Sequence, residues 1–327
     1  MSWTVVGIIA IPIVVDLTIH VISAMIALPL FERELTFSVE EVPPDPDAEQ
    51  FCFPTSGGLT LRGSLLRQSQ QPARGLILFC PELQGNHWSA RWYCEGLIAA
   101  GFDVISFDFR NQGESDHMPG YVPLHWLTEF EVEDVAAAIA YVRGRGDLNG
   151  LPLGLFGMSR GGAAALAATV RDDSVQCVAC EGAFSTESLS LHFTLRWASL
   201  YAPDWLLKII PPWHLRLTLA LVRLASQFRR RCRYTRLERQ LSRLGNRPVM
   251  MISGERDTYV LPEITNMLSG HIDPGCRSTW IVPGAKHNGS RQVAAEEYDQ
   301  RIAEFFSQLP AVGNPEAAPK QITQPRA

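Results

Sequence analysis

A chain of 327 residues with 46% hydrophobic side chains is long and apolar enough to bury a large core, as one big α/β domain or two smaller ones, which excludes a disordered polypeptide. A formal net charge of −5 provides no global basic field and argues against nucleic acid as a partner. The seven cysteines (52, 80, 94, 177, 180, 232 and 276) are odd in number, scattered and mostly set in apolar runs. That pattern suits buried thiols better than a disulfide framework and leans towards a cytoplasmic body. Cys177 and Cys180 are close in sequence, but they fall in a run that reads as a strand, where they would not face each other as a redox or zinc site needs.

Residues 3–31, WTVVGIIAIPIVVDLTIHVISAMIALPLF, carry no Lys or Arg and are long enough to span a bilayer as a helix. One mid-membrane aspartate, here Asp16, costs about 2.5–3.5 kcal/mol, whereas each Leu, Ile, Val or Phe returns about 0.3–0.6 kcal/mol. With sixteen such residues in the segment, insertion comes out favourable. Residues 1–34 are therefore expected to form a single N-terminal transmembrane or membrane-anchoring helix. A cleaved signal peptide fits less well, because no basic n-region and no small-x-small site is present. A buried helix or a dimer seam is the rival. Asp16 and His20 share one helix face, so they can pair with each other or with a second helix, or sit near the interface by snorkelling.

From residue 35 onward short apolar runs alternate with turn signals. ELTFSVEEV and FCFPTSGGLTLRGSLLR read as antiparallel strands, with PPDPD as the loop between them. GLILFC, a helical SARWYCEGLIAAG, FDVISFDF, a helical EVEDVAAAIAYVRG, LPLGLFG, an alanine-rich helix and VQCVACEG follow in order. This regular alternation of buried strands and helices is the mark of a doubly wound, mostly parallel α/β sheet. Residues from about 186 to 245 break the rhythm and read as an inserted helical cap. RPVMMISGERD and STWIVPGAKH resume the sheet, and AAEEYDQRIAEFFSQL closes it. The domain is expected to span 35–310, and the polar, proline-bearing residues 311–327 are expected to be disordered.

The stretch GLFGMSRGGAA places Gly157-Met158-Ser159-Arg160-Gly161 between a buried strand and a helix. This is the G-x-S-x-G pattern of a nucleophile elbow, in which the serine occupies a strained turn and side chains at the flanking glycines would collide with neighbouring backbone. A serine hydroxyl needs a histidine to accept its proton and a carboxylate to fix that histidine's tautomer. Asp257 lies just beyond the strand MMISG, and His287 lies in the loop after the next strand. The order Ser, Asp, His is the one expected of this fold, with all three at one edge of the sheet.

With FDFRNQGESD, similar to a D-x-R-G-x-G-x-S loop, these motifs resemble the α/β-hydrolase superfamily, in particular serine hydrolases akin to acylglycerol lipases and serine aminopeptidases. The resemblance covers about residues 55–308. It implies a nucleophile at Ser159, a base at His287, an acid at Asp257, elbow glycines at Gly157 and Gly161, and no metal or organic cofactor. The backbone N–H groups of Leu83 and Arg160 would hold the oxyanion. Pro81-Glu82 stands where relatives have His-Gly, which sets a carboxylate near the developing charge, and a pseudo-hydrolase serving as a membrane-tethered binding protein is the alternative this raises. Glu181, after the strand VQCVAC, competes with Asp257 for the acid's place.

His87, His117 and His125 are expected in loops near the site, and His192, His214 and His271 at the surface or in the cap. The cap offers Trp197, Leu200, Trp205, Leu206 and Trp213 as an apolar roof for an acyl chain or aromatic ester. Arg229, Arg233 and Arg236 would share one helical face, solvated or resting on anionic headgroups. The expected activity is a serine esterase or lipase-like hydrolase acting on a small-molecule or lipid-like acyl substrate, with a peptidase or thioesterase as variants.

Overall fold

The computed structural model describes residues 3–36, 39, 42–69, 72–200, 203, 205 and 209–312, with side chains from residue 10 onward. The expected strand over 34–42 does not form at its described positions, Glu34–Thr36, Val39 and Val42. The expected tail lies almost wholly outside the described residues, as does Leu206.

Eight strands make one sheet. β1 (Glu49–Pro54) and β2 (Thr60–Leu66) form the hairpin expected from the Gly-Gly turn. They are followed by β3 (Leu76–Cys80), β4 (Asp103–Phe107), β5 (Leu153–Met158), β6 (Val175–Glu181), β7 (Val249–Gly254) and β8 (Arg277–Val282). The spatial order is β1-β2-β4-β3-β5-β6-β7-β8, parallel from β4 to β8 and antiparallel at β1 and β2.

Side chains along β3 alternate between two cores. Leu76, Leu78 and Cys80 pack with α4 (Glu129–Gly144) and α5 (Arg160–Arg171), while Ile77 and Phe79 pack towards α2 (Ala90–Tyr93) and α3 (Glu95–Ala99). Covering both faces buries β3, β4, β5 and β7 completely, which is why the inner strands read as apolar runs, whereas the edge strand β8 stays partly exposed. Cys177 and Cys180 fall in opposite cores, and all seven cysteines are free thiols. α4 begins at a capping box in which the Thr128 side chain accepts from Phe130 N and Glu131 accepts from Thr128 N. The helix expected over 89–101 is instead two short ones meeting at Cys94, whose φ of −111° and ψ of 11° leave the helical region.

The insertion between β6 and β7 carries α6 (Thr186–Ala198) and α7 (Pro212–Arg230). Proline at the first position of α7 suits a helix start, and Arg231 ends it in the left-handed region at φ 52°. Arg229 therefore sits on the last turn of α7, whereas Arg233 and Arg236 lie beyond it in irregular chain, with Tyr234 bridged to Thr128. The expected single arginine face does not exist. Downstream come α8 (Pro262–Ser269), α9 (Ser290–Val293) and α10 (Ala295–Phe306).

The N-terminal α1 (Trp3–Phe31) contains a stretch, Ala10–Phe31, long and apolar enough to cross a membrane. It also packs against α7 and the cap base. Phe31 stacks on Trp126 at 4.7 Å, Trp126 Nε1–H donates to the Phe31 carbonyl at 2.7 Å, and His20 and Ala24 are buried. The face opposite, including Ile11, Val14, Ile22, Met25 and Ile26, stays at least half exposed.

Candidate active site

β5 runs into α5 through Ser159, whose φ of 51° and ψ of −118° are strained for any residue with a side chain. The turn closes because its neighbours are bare. A Cβ on Gly157 would stand 2.6 Å from Gly162 Cα, and one on Gly161 would strike the carbonyls of Cys80 and Pro81. The contact at Gly161 presses the elbow against the end of β3. Ser159 N–H donates to the Glu181 carbonyl at 2.7 Å, which ties the turn to β6.

The loops after β7 and β8 deliver the other two residues. Asp257 is buried, and its Oδ1 accepts from the amides of Tyr259 and Val260 at 2.8 Å each. Its Oδ2 lies 2.7 Å from His287 Nδ1, and His287 Nε2 lies 2.9 Å from Ser159 Oγ. A carboxylate can only accept, so Nδ1 carries the proton and Nε2 presents its lone pair to the serine hydroxyl. Glu181 is elsewhere engaged: its carboxylate accepts from Ser290 N and Tyr298 Oη, both at 3.0 Å, and burial pushes its pKa up. It holds α9 and α10 to the sheet and does not bond to His287.

Leu83 and Arg160 line the same cavity as Ser159, and neither backbone N–H has a protein acceptor among the described residues. Their setting is braced from behind. Gln112 Oε1 accepts from Gln84 N at 3.0 Å and from Arg160 Nη2 at 2.7 Å, and Arg160 Nη1 reaches the Leu124 carbonyl. The 108–115 loop that presents Gln112 is built on Asp108, which accepts from the amides of His87 and Glu114. Asn111 stands where the similar loop pattern has glycine, and its φ of 62° is a conformation asparagine tolerates. Glu82 is buried at the cavity wall with Tyr93 Oη at 3.5 Å, and desolvation raises its pKa.

A cavity of about 860 Å³ opens over Ser159. Its walls include Trp92, Tyr93, His125, Phe184 and Tyr259 together with Val42 from the segment after α1. Among the described residues the expected roof is absent: Trp197, Leu200, Trp205 and Trp213 do not line it and are exposed, Leu200 by 73%. α7 packs on α1, with α6 against α7, and these side chains meet solvent. Of the histidines expected nearby, only His125 lines the cavity, with its pKa pushed down to about 3 by burial and by the charge of Arg160. His87 is buried under Trp88 beside Asp108, and His117 is exposed. His214, expected as a surface or ordinary cap residue, faces α1.

Two residues of this site carry weak sequence signals. Gly182 has a φ of 62°, and a Cβ there would stand 2.8 Å from His287 Cε1, so only glycine lets the imidazole reach its place. Its position directly after β6 is the signal. Tyr259, with its ring 5.2 Å from that of His287, has none beyond proximity to Asp257.

A family model described as alpha/beta hydrolase fold matches residues 75–210. Protein YfhR of Escherichia coli K12 is 33% identical over 149 residues, covering 44% of this chain and 50% of its own. Thiohydrolase aneE of Aspergillus aculeatus is 32% identical over 127 residues, 38% of each chain. This chain thus spans about half the length, or less, of these curated relatives. Among solved structures, Pyrococcus furiosus esterase Pf2001 superposes with a TM-score of 0.61 at 17% identity, over 84% of this chain and 97% of that one. Est1E of Butyrivibrio proteoclasticus, solved with ferulic acid, gives 0.56 at 15% identity over 79% and 100%. Likeness at such low identity speaks to the fold alone, and it agrees with the sheet order and with the matched segment: the chain has the alpha/beta-hydrolase fold.

Proposed function

We propose that this protein is a membrane-associated serine hydrolase that cleaves an ester or related acyl bond through an acyl-enzyme on Ser159. The observation that carries the reading is the relay Ser159–His287–Asp257, with contacts of 2.9 and 2.7 Å, at a strained serine under an open cavity. Ser159 Oγ attacks the acyl carbonyl as its proton passes to His287 Nε2, and Asp257 stabilises the imidazolium and keeps its orientation. The carbonyl oxygen becomes an oxyanion held by the Leu83 and Arg160 amides. Collapse expels the alkoxide or thiolate with the proton from His287. Water then attacks the acyl-enzyme by the same route in reverse and frees the acid and Ser159.

Glu82 bears on the pseudo-hydrolase alternative. A carboxylate at the cavity wall would oppose the oxyanion, and burial, which raises the pKa of Glu82, works against that charge. The thioester variant draws support from the relative named a thiohydrolase.

Association with a membrane draws support from the outward face of α1 and from cap side chains such as Trp213 and Phe228, the latter 77% exposed. Exposed arginines near the end of α7 would add about 1 kcal/mol each against anionic headgroups.

Hydrolysis of p-nitrophenyl esters of increasing acyl length, with Ser159→Ala run in parallel, tests the chemistry. Turnover above the variant is expected, with its peak marking the acyl length the cavity takes. Turnover equal to that of Ser159→Ala, together with no fluorophosphonate labelling of the folded protein, would overturn it in favour of the binding-protein reading. For the membrane, Ile22→Glu with Ile26→Glu changes only the outward face of α1. It should move the protein out of floating vesicles, and an unchanged distribution would refute the association.

A further inference from the structure

Asp16 and His20 lie one turn apart on α1, and His214 in the first turn of α7 meets them across the helix junction. His214 Nδ1 is 3.7 Å from Asp16 Oδ1, His20 Nε2 is 3.6 Å from Asp16 Oδ2, and the two imidazole rings are 4.0 Å apart between centroids. One ligand atom from each residue falls within 4.8 Å of the others.

Thr218, one turn further along α7, joins this cluster. Its hydroxyl lies 3.4 Å from the His214 carbonyl, a donor contact one turn back, and 2.7 Å from His20 Nδ1. When the hydroxyl proton is directed to the carbonyl, the oxygen accepts from His20 Nδ1–H and His20 Nε2 presents its lone pair. That nitrogen is fully buried and has no hydrogen-bond partner among the described residues. In that tautomer a buried lone pair faces the Asp16 carboxylate, an arrangement that a metal ion between them would stabilise.

We propose that Asp16, His20 and His214 form a zinc-type divalent metal site that clasps α1 to the cap helix α7. Two imidazole nitrogens and one carboxylate are borderline ligands that favour zinc over magnesium or calcium. Ligand atoms around tetrahedral zinc lie about 3.3 Å apart, so the observed separations close with small side-chain shifts. The Asp16 side chain is 45% exposed, which leaves water access to the fourth position. Thr218 is the outer partner that fixes the tautomer and aim of His20, as such partners commonly do for ligating histidines. The site also gives a reason for an aspartate and a histidine one turn apart in an otherwise apolar helix.

The test uses the full chain in detergent micelles after chelator treatment, titrated with Co²⁺ and followed by its visible absorption and by competition with Zn²⁺. One Co²⁺ per chain is expected, in a low-coordinate environment and displaced by one equivalent of Zn²⁺. His214→Ala, at a partly exposed position that leaves the buried His20 in place, should weaken binding at least tenfold, and Thr218→Val by about 10-fold or more. Absence of stoichiometric uptake overturns the proposal. Uptake that persists unchanged in His214→Ala overturns it as adventitious binding elsewhere. Neither readout depends on ester hydrolysis, so failure here leaves the reading of Ser159 standing.

Discussion

The C-terminal edge of the sheet and the junction of α1 with the cap are both helix-and-loop assemblies over the same body, yet they are held in opposite ways. At the sheet edge each candidate catalytic group is fixed by several directed contacts: Asp257 by two amides and His287, Ser159 by β6 and its glycines, Arg160 by Gln112 and Leu124. At the junction one face of α1 is pinned by Phe31, Ala24 and His20, while its other face and the aromatic cap residues meet solvent. Dense polar bracing sets atoms to within a fraction of an ångström, which chemistry needs. An apolar outer surface on one firm face instead suits contact with a fluid partner such as lipid, where position matters less than area.

This contrast breaks most sharply at Asp257. Asp257→Asn should lower kcat by about 10³–10⁴-fold with the fold intact, because the amide can hold His287 in the wrong tautomer. Steady-state kinetics beside circular dichroism measure this, and a loss below tenfold would mean that another group orients His287.

Gly182→Ala comes next. The added methyl at φ 62° would push on His287 Cε1 and should cost about 10–100-fold in kcat with little change in KM, plus about 1–3 kcal/mol of stability.

At the junction the effect should fall on stability rather than on rate. Phe31→Ala removes the ring stacked on Trp126 and, for a fully docked helix, should cost about 3–5 kcal/mol locally. Hydrogen exchange or limited proteolysis should show α1 released while ester turnover by the body changes little. Equal loss of both would mean the two regions are one cooperative unit.

The smallest effect is expected at Glu82. Its folded-state pKa is raised by burial, so the stability associated with its proton is present below the unfolded value, about 4.3, and is lost as pH rises through the folded value. The same deprotonation places charge near the oxyanion. Glu82→Gln should therefore match the wild type within about threefold at low pH and gain on it as pH rises. Parallel pH profiles of the two proteins would show that Glu82 does not titrate near the reaction.

Much of the sheet edge was legible because its signals are local. A glycine–serine–glycine turn after an apolar strand, and polar residues directly after two later strands, already specify which atoms sit at one edge once the sheet is parallel. Glu181 was a fair rival on position alone. Only the structure shows its carboxylate turned towards Tyr298 and Ser290. The cap was read less well. Trp197, Leu200 and Trp213 form an apolar set in any linear reading, but whether such a set roofs a cavity or faces outward depends on how α6 and α7 pack, which composition does not encode. The arginine face failed for a local reason, since Arg231 ends α7 before Arg233 and Arg236.

By itself the sequence determined the hydrophobic alternation that makes a doubly wound sheet, the strained elbow at Ser159 and the apolar length of α1, because each depends on residues adjacent in the chain. The tertiary structure alone decided that Gly182 makes room for His287, that Glu82 is buried, and that Asp16 and His20 meet His214. Those contacts join residues far apart in sequence, and their energies arise from burial and mutual distance, which exist only once the chain has folded.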